Sequence, residues 1–166
     1  MVKRVAARID EYYRQRGVLQ ILLVGILKGA NIFHADLLRE LETAAEVDFM
    51  QVSSYIGMHS SGELTIHKDI NADIAGRHVL LVEDIVDTGF TLSMLMERLQ
   101  QRKPADIRLC AALDKAAARK YPVQVDFAGM PAPEKFLVGY GLDYQEHFRG
   151  LPYIGELIFD EKLPEK

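Results

Sequence analysis

The chain has 166 residues, 49% of them hydrophobic and 27% charged, with a formal net charge of −4. That balance fits one globular domain over residues 1–166 with a sizeable core, and it gives no general electrostatic attraction to nucleic acid or anionic membranes. Apolar runs are too short for a membrane span, and the N-terminal MVKRVAARIDEYYRQRG carries acidic and aromatic residues where a signal peptide has its apolar stretch, so a cytoplasmic protein is expected.

Val2, Val5, Ala6, Ile9, Tyr12 and Tyr13 recur at helical spacing, and Gly17 follows as a stop. VLQILLVGIL (18–27) predicts a strand buried on both faces, and Asn31 is placed to cap a helix with the stripe Phe33, Leu37, Leu38 and Leu41. VDFMQVSSY (47–55) and ELTIHKDI (63–70) read as strands around a polar loop near GMHSSG. Val79, Leu80, Leu81 and Val82 form another buried strand, expected to end where Glu83 and Asp84 begin, because carboxylates are costly on a doubly buried strand. Leu92, Leu95, Met96 and Leu99 mark a helix ended before Pro104. DIRLCAAL (106–113) is the next strand, with shorter ones at VQVDFAG (123–129) and KFLVGYG (135–141). The lone Cys110 cannot form an internal disulfide and is expected to be a small buried hydrophobe. Strands alternating with helices, without repeats or linkers, predict an α/β fold with a mostly parallel sheet.

On that frame Lys28 and Gly29 follow one strand, Glu83, Asp84 and Asp87 a second, and Asp114 and Lys115 a third, so all three groups converge at the carboxyl edge where open α/β sheets bind ligands. DTGFT (87–91) leads into a helix, whose free N–H groups, two hydroxyls and Gly89 suit a phosphate. It has neither the glycine-rich lysine loop of nucleotide triphosphatases nor the three-glycine turn of dinucleotide folds. Glu83 and Asp84 beside it suit ribose hydroxyls or a hard cation, which sketches a phosphorylated sugar as ligand. Taken singly, these residues have plainer readings. Lys28 is a solvated strand-end residue, Lys115 a helix start, Phe136 and Tyr140 core positions, and Asp143, Glu146 and Arg149 a helical ion-pair face. The five histidines show no metal-ligand spacing.

What outweighs the plain readings is their joint order. VLLVEDIVDTGFTL (79–92) resembles the phosphoribosyl pyrophosphate signature of the type I phosphoribosyltransferases. LLVGILKGANIFHADLLREL, VDFMQVSSY, SSGELTIHKDI, LDK and PEKFLVGYGLDYQEHFRGLPYIGEL are together similar to the hypoxanthine-guanine phosphoribosyltransferases over most of the chain. The last block separates these purine enzymes from orotate, uracil and adenine relatives.

The resemblance implies a mostly parallel twisted sheet flanked by helices, with a small hood formed mainly by residues 129–166. It implies that Lys28 and Gly29 bind the donor's pyrophosphate, with a non-proline cis bond between Leu27 and Lys28. Glu83 and Asp84 would hold the ribose hydroxyls and a magnesium ion, with Asp143 as a further magnesium ligand. Asp87, Thr88, Gly89, Phe90 and Thr91 would enclose the 5′-phosphate, and Asp87 would serve as general base at N7 of the purine. Lys115 would donate to the 6-oxo group, Phe136 would stack on the base, the backbone of Leu137 would meet the 2-position, Lys135 would support that pocket and Arg149 would reach the pyrophosphate. Ser53 and Tyr55 would belong to a mobile loop that closes over the site and excludes water.

The implied reaction is magnesium-dependent transfer of phosphoribosyl from 5-phosphoribosyl 1-pyrophosphate to a 6-oxopurine, giving a purine mononucleotide and pyrophosphate. The expected state is a homodimer or homotetramer without nucleic-acid or membrane partners. Against the family pattern, the chain begins at the first helix where a further N-terminal hood segment is usual, its mobile loop is short, and Ile56 follows Tyr55 where glycine is common. Two alternatives stand beside this expectation. One is a xanthine-preferring relative. The other is a non-catalytic nucleotide sensor that binds RNA on the same fold, for which a basic surface is required and the acidic balance is unfavourable.

Overall fold

Six consecutive residues from Ile21 to Ile26 are buried, which is possible only for a strand covered on both faces. This strand, β1 (Gln20–Leu27), is central in a six-stranded sheet seen in a computed structural model that describes residues 1–55 and 63–159. Around it, in chain order, are α1 (Val2–Arg14), α2 (Asn31–Glu40), β2 (Ala44–Tyr55), β3 (Glu63–Lys68), β4 (His78–Val86), α3 (Phe90–Gln100), β5 (Asp106–Asp114), a 3₁₀ turn (Ala116–Ala118) and β6 (Phe127–Pro131). The sheet order is β3-β2-β1-β4-β5-β6, and every pairing is parallel except β2 with β3. This is the α/β, mostly parallel architecture that the alternating elements predict.

Strand side chains alternate between faces, so the sheet builds two cores. Leu22, Val24, Val79, Leu81 and Leu109 pack with Leu92, Leu95 and Leu99 of α3. On the other face Ile21, Leu23, Leu80, Val82 and Cys110 pack with Val5, Ile9 and Tyr13 of α1 and with Phe33 and Leu37 of α2. Burial raises the Cys110 thiol well above its ordinary pKa, which keeps it a packing residue.

Two buried carboxylates pin loops to this frame. Asp10 of α1 accepts hydrogen bonds from the Glu42 and Thr43 backbone N–H groups at 3.1 and 2.9 Å and from the Thr43 hydroxyl at 2.7 Å, locking the entry to β2. Asp48 accepts from the backbone of Phe49, Asn71 and Ala72 and from Lys68 Nζ at 3.0 Å. Burial alone pushes the Asp48 carboxyl up, but these donors prevail and hold it below the ordinary range.

The structure departs from the predicted elements in several places. Asn31 does not cap α2 with its side chain, because Ala30 in the cap position is already turned, with φ −71° and ψ −9°, and lacks the extended backbone a side-chain cap needs. The buried face of α2 is Phe33, His34 and Leu37, while Leu38 is 36% exposed.

Glu83 and Asp84 do not follow β4 but lie within it, in register with β5 as far as Val86 and Asp114. Pairing with β1 stops at Val82, so from Glu83 onward the strand has a neighbour on one side and an opening on the other. The segment 123–129 becomes strand only at Phe127. The run 135–141 is reduced to β7 (Leu137–Val138), because Gly139, Tyr140 and Gly141 all have positive φ, at 92°, 53° and 102°. Its antiparallel partner, β8 (Gly155–Glu156), has no periodic signal and makes a separate two-stranded sheet. The loop at GMHSSG lies outside the described residues.

Leu81 is fully buried between β4 and α3, so Leu81→Ala is expected to cost about 3 kcal/mol of unfolding free energy in urea titrations. Leu19→Ala, at a residue 86% exposed, is expected to change it by less than about 0.5 kcal/mol. Equal effects would contradict the two-faced core.

Candidate active site

The loop after β1 sits against the opening beside β4. Its Leu27–Lys28 peptide bond is cis, as the resemblance implies. A Cβ on Gly29 would stand 1.7 Å from Asp84 Oδ2, and a Cβ on Gly141 would stand 2.0 Å from the Gly29 carbonyl oxygen. The loop is therefore clasped between β4 and the turn that follows β7, with no room for a side chain on either side.

Glu83 and Asp84 are neighbours on a strand, so their carboxylates point to opposite faces. Glu83 lines a cavity of about 140 Å³ together with Ile85 and the residues from Asp87 to Leu92. Among the described residues its Oε2 is buried without a partner; burial, then the Asp84 charge, pushes its pKa well up. Asp84 faces Gly29, and burial raises its pKa too. The Ile85 N–H and Arg149 counter that rise, while Asp143 adds to it. Among the described residues no three His, Cys, Asp or Glu side chains gather where they could hold a metal ion. The expected set of Glu83, Asp84 and Asp143 is thus divided by the strand's alternation. Asp84 and Asp143 are left on the Gly29 side, and Glu83 is on the cavity side.

The turn after β7 is not a helix. Gln145, Glu146 and Phe148 have positive φ values of 50°, 65° and 74°, a strained backbone that persists where surrounding contacts impose it. The ion pairs expected of a helical face are nevertheless made across it. Arg149 pairs with Asp143 at 2.8 Å and with Glu146 Oε2 at 3.4 Å, and it donates to the Gly141 carbonyl at 2.8 Å. Lys28 Nζ lies 3.2 Å from Glu146 Oε2 and holds that carboxyl below its ordinary range. Behind the turn, the Tyr140 hydroxyl donates to Asp36 Oδ2 of α2 at 2.6 Å, which lowers the Asp36 pKa.

On the cavity side, Gly89 caps α3 in the left-handed conformation, φ 83°, where a Cβ would come within 3.0 Å of Arg119 Cδ. The first-turn N–H groups of α3 have no intrahelical acceptors and face a small polar cavity suited to an anion. The loop from Lys115 to Tyr121 supports this cradle. The N–H groups of Lys120 and Tyr121 donate to the Thr88 carbonyl at 2.9 and 3.1 Å. Thr91 Oγ1 meets Ser54 Oγ of β2 at 2.8 Å. Lys115 Nζ donates to Asp87 Oδ2 at 3.3 Å, with Asp87 half exposed at the cavity mouth.

Phe136 is 47% exposed, and its ring meets Tyr144 and Phe159 edge to face, with centroids at 5.6 and 6.3 Å. Lys135 is held by Glu156 at 2.6 Å, and the Phe136 carbonyl accepts from the Leu157 N–H at 2.9 Å. Ser53 instead turns to its hairpin neighbour, its hydroxyl 2.8 Å from His67 Nε2. Tyr55 ends β2, and residues 56–62 of the expected mobile loop lie outside the described residues.

The fold therefore gathers Lys28, Gly29, Asp84, Asp143 and Arg149 on one side of β4. Glu83 and Asp87–Thr91 gather on the other, with Lys115 beside Asp87, while Lys135, Phe136 and Leu137 lie at β7. Sequence reasoning missed Arg119, which ties the strand ends by pairing with Asp114 and donating to the Val86 carbonyl at 3.4 Å. It also missed Ser54, Tyr144 and Phe159. Polar spacing gives little signal for these: Arg119 reaches Val86 of β4, Ser54 reaches Thr91 of α3, and the rings of Tyr144 and Phe159 meet Phe136 only once the C-terminal segment folds back.

A phosphoribosyl transferase domain model matches residues 1–145. The hypoxanthine phosphoribosyltransferase of Haemophilus influenzae is 39% identical over 161 residues, 96% of this chain and 90% of that protein. That of Escherichia coli K12 is 44% identical over 158 residues, 95% of this chain and 88% of that protein. A solved hypoxanthine phosphoribosyl transferase from Trypanosoma cruzi superposes with a TM-score of 0.89 at 39% identity, covering 95% of this chain and 85% of that one.

A carboxyl whose pKa rises on folding adds stability below its unfolded pKa and loses that contribution as pH climbs through the raised value. Without ligands, the parent is therefore expected to lose stability relative to Glu83→Gln as pH rises above the ordinary glutamate value of 4.5. Thermal melts of both proteins at pH 4.5 and pH 8 check this, and parallel shifts would show that Glu83 is not the buried titrating group.

Proposed function

This chain belongs to the phosphoribosyl transferase family, and we propose that Lys28, Asp87, Lys115 and Arg149 carry its reaction. The enzyme transfers the phosphoribosyl group of 5-phosphoribosyl 1-pyrophosphate to hypoxanthine or guanine, forming IMP or GMP and pyrophosphate. The observation that carries the residue assignment is the Lys115–Asp87 pair at the mouth of the Asp87–Thr91 cradle, one cation and one carboxylate from different strand ends.

In this reading the 5′-phosphate takes the first-turn N–H groups of α3 and the hydroxyls of Thr88 and Thr91, with Gly89 and Phe90 completing the cradle. Glu83, buried on the same cavity, accepts from a ribose hydroxyl. Lys28, Gly29 and Arg149 meet the pyrophosphate, where cations offset the charge that grows as the bond to C1 of the ribose breaks. A magnesium ion suits Asp84 and Asp143, since a carboxylate raised by burial, with an acidic neighbour adding to it, is relieved by a hard cation. When bound, the ion neutralises the leaving group.

At the base, Asp87 accepts the N7 proton as N9 attacks C1 of the ribose, and Lys115 donates to the 6-oxo group. Adenine presents an amino group there, leaving Lys115 facing a donor, so it is rejected. Phe136 offers its exposed ring for stacking, Lys135 is held in place by Glu156, and the Leu137 backbone meets the 2-position. Ser53 and Tyr55 belong to the segment that covers the site, and residues 129–166 to its hood. Cytoplasmic location and a homodimer or homotetramer are parts of the same proposal.

Pyrophosphate release is expected with hypoxanthine or guanine and not with adenine; comparable turnover of adenine would remove Lys115 as the discriminator. Asp87→Asn is expected to lower kcat by about 10²–10⁴-fold, the usual worth of a general base, with the donor KM little changed. Undiminished turnover would dismiss Asp87 from that role.

A further inference from the structure

One carboxylate oxygen, Glu146 Oε2, lies 3.2 Å from Lys28 Nζ and 3.4 Å from Arg149 Nη2, bridging two cations carried on loops far apart in the chain. Those are the two cations assigned above to the pyrophosphate. The proposal that follows rests on that assignment. We propose that Glu146 is a built-in counter-anion which occupies the pyrophosphate position and which the donor must displace.

The geometry separates this role from that of a scaffold. Arg149 keeps its place without Glu146, because it also donates to the Gly141 carbonyl and pairs with Asp143, both at 2.8 Å. Glu146 contributes to the shape of the turn through its backbone, whose N–H donates to Asp143 Oδ2 at 2.8 Å, a bond any side chain leaves intact. The side chains of Glu146 and Lys28 are 64% and 53% exposed, so their pairing is weak and readily exchanged for a more highly charged anion. Polyvalent pyrophosphate exceeds a single carboxylate in charge and in acceptor oxygens, and it therefore wins when present. When it departs, the carboxylate returns, the two cations do not face each other unscreened, and recapture of the product is opposed. Glu146 thus tunes affinity for donor and product together and leaves the purine side untouched.

The test compares the parent, Glu146→Gln and Lys28→Ala under saturating magnesium. Four quantities are measured: kcat, the KM for phosphoribosyl pyrophosphate, the KM for hypoxanthine, and the inhibition constant of inorganic pyrophosphate. Glu146→Gln is expected to lower the donor KM and the pyrophosphate inhibition constant together by about two- to fivefold, the range of an exposed ion pair, with the hypoxanthine KM unchanged. Lys28→Ala is expected to raise the donor KM. If Lys28→Ala raises it but Glu146→Gln leaves it unchanged or raises it, Glu146 is a positioning residue and the counter-anion idea is overturned alone. An equal fall in the hypoxanthine KM also overturns it, because the effect is then not confined to the anion. If Lys28→Ala leaves the donor KM unaltered, the pyrophosphate assignment is wrong and the proposal falls with it.

Discussion

The site depends on a contact that tolerates no side chain. Gly29 fits between Asp84 of β4 and Gly141 of the turn after β7, and a Cβ at either glycine would lie inside bonded-contact range of its neighbour. Interiors are close-packed, so such a contact has one arrangement and does not deform gradually. Through it, a loop at the end of β1, a carboxylate in β4 and a turn near the C-terminus share one position. The placement of Lys28 near Glu146, and of Asp84 near Arg149 and Asp143, follows from it.

The electrostatics around that contact are those of a surface prepared for highly charged ligands. Among the described residues Glu83 Oε2 and Arg149 Nε are buried without partners, and Asp84 is raised by burial. Each is a cost to the fold by itself, since buried polar groups ordinarily find partners. Their division across β4 gives two compartments. One has the start of α3 with Glu83 and the Asp87–Lys115 pair, and is proposed for a sugar phosphate; the other has Lys28 and Arg149 with Asp84, Asp143 and Glu146, and is proposed for a pyrophosphate with a hard cation. The strand's two-residue repeat separates the charges that one compartment could not hold.

Much of this was legible in the sequence because burial on both faces leaves a strong mark. Ile21–Ile26, Val79–Val82 and Leu109–Leu113 are uninterrupted apolar runs, and polar residues directly after them are placed at the sheet's carboxyl edge by topology alone. Periodicity does not show where a strand loses one neighbour, which is why Glu83 and Asp84 were expected beyond β4 when they lie in it. Positive φ at non-glycine residues leaves no local signature either, so the turn carrying Asp143 and Arg149 was read partly as strand and partly as helix. The supports from Arg119, Ser54 and Phe159 involve partners from other elements, visible only after folding.

The bond from Tyr140 to Asp36 spans 104 positions of the chain. In chain order the helix bearing Asp36 comes before the phosphate cradle at Asp87–Thr91, and the turn bearing Asp143 and Arg149 comes after both. Asp36 and Gly29, both from the N-terminal part of the chain, give that turn its seat. The side proposed for the leaving group is therefore built from both ends of the chain, Lys28 and Gly29 from one and Asp143 and Arg149 from the other, and it exists only once those two ends have met.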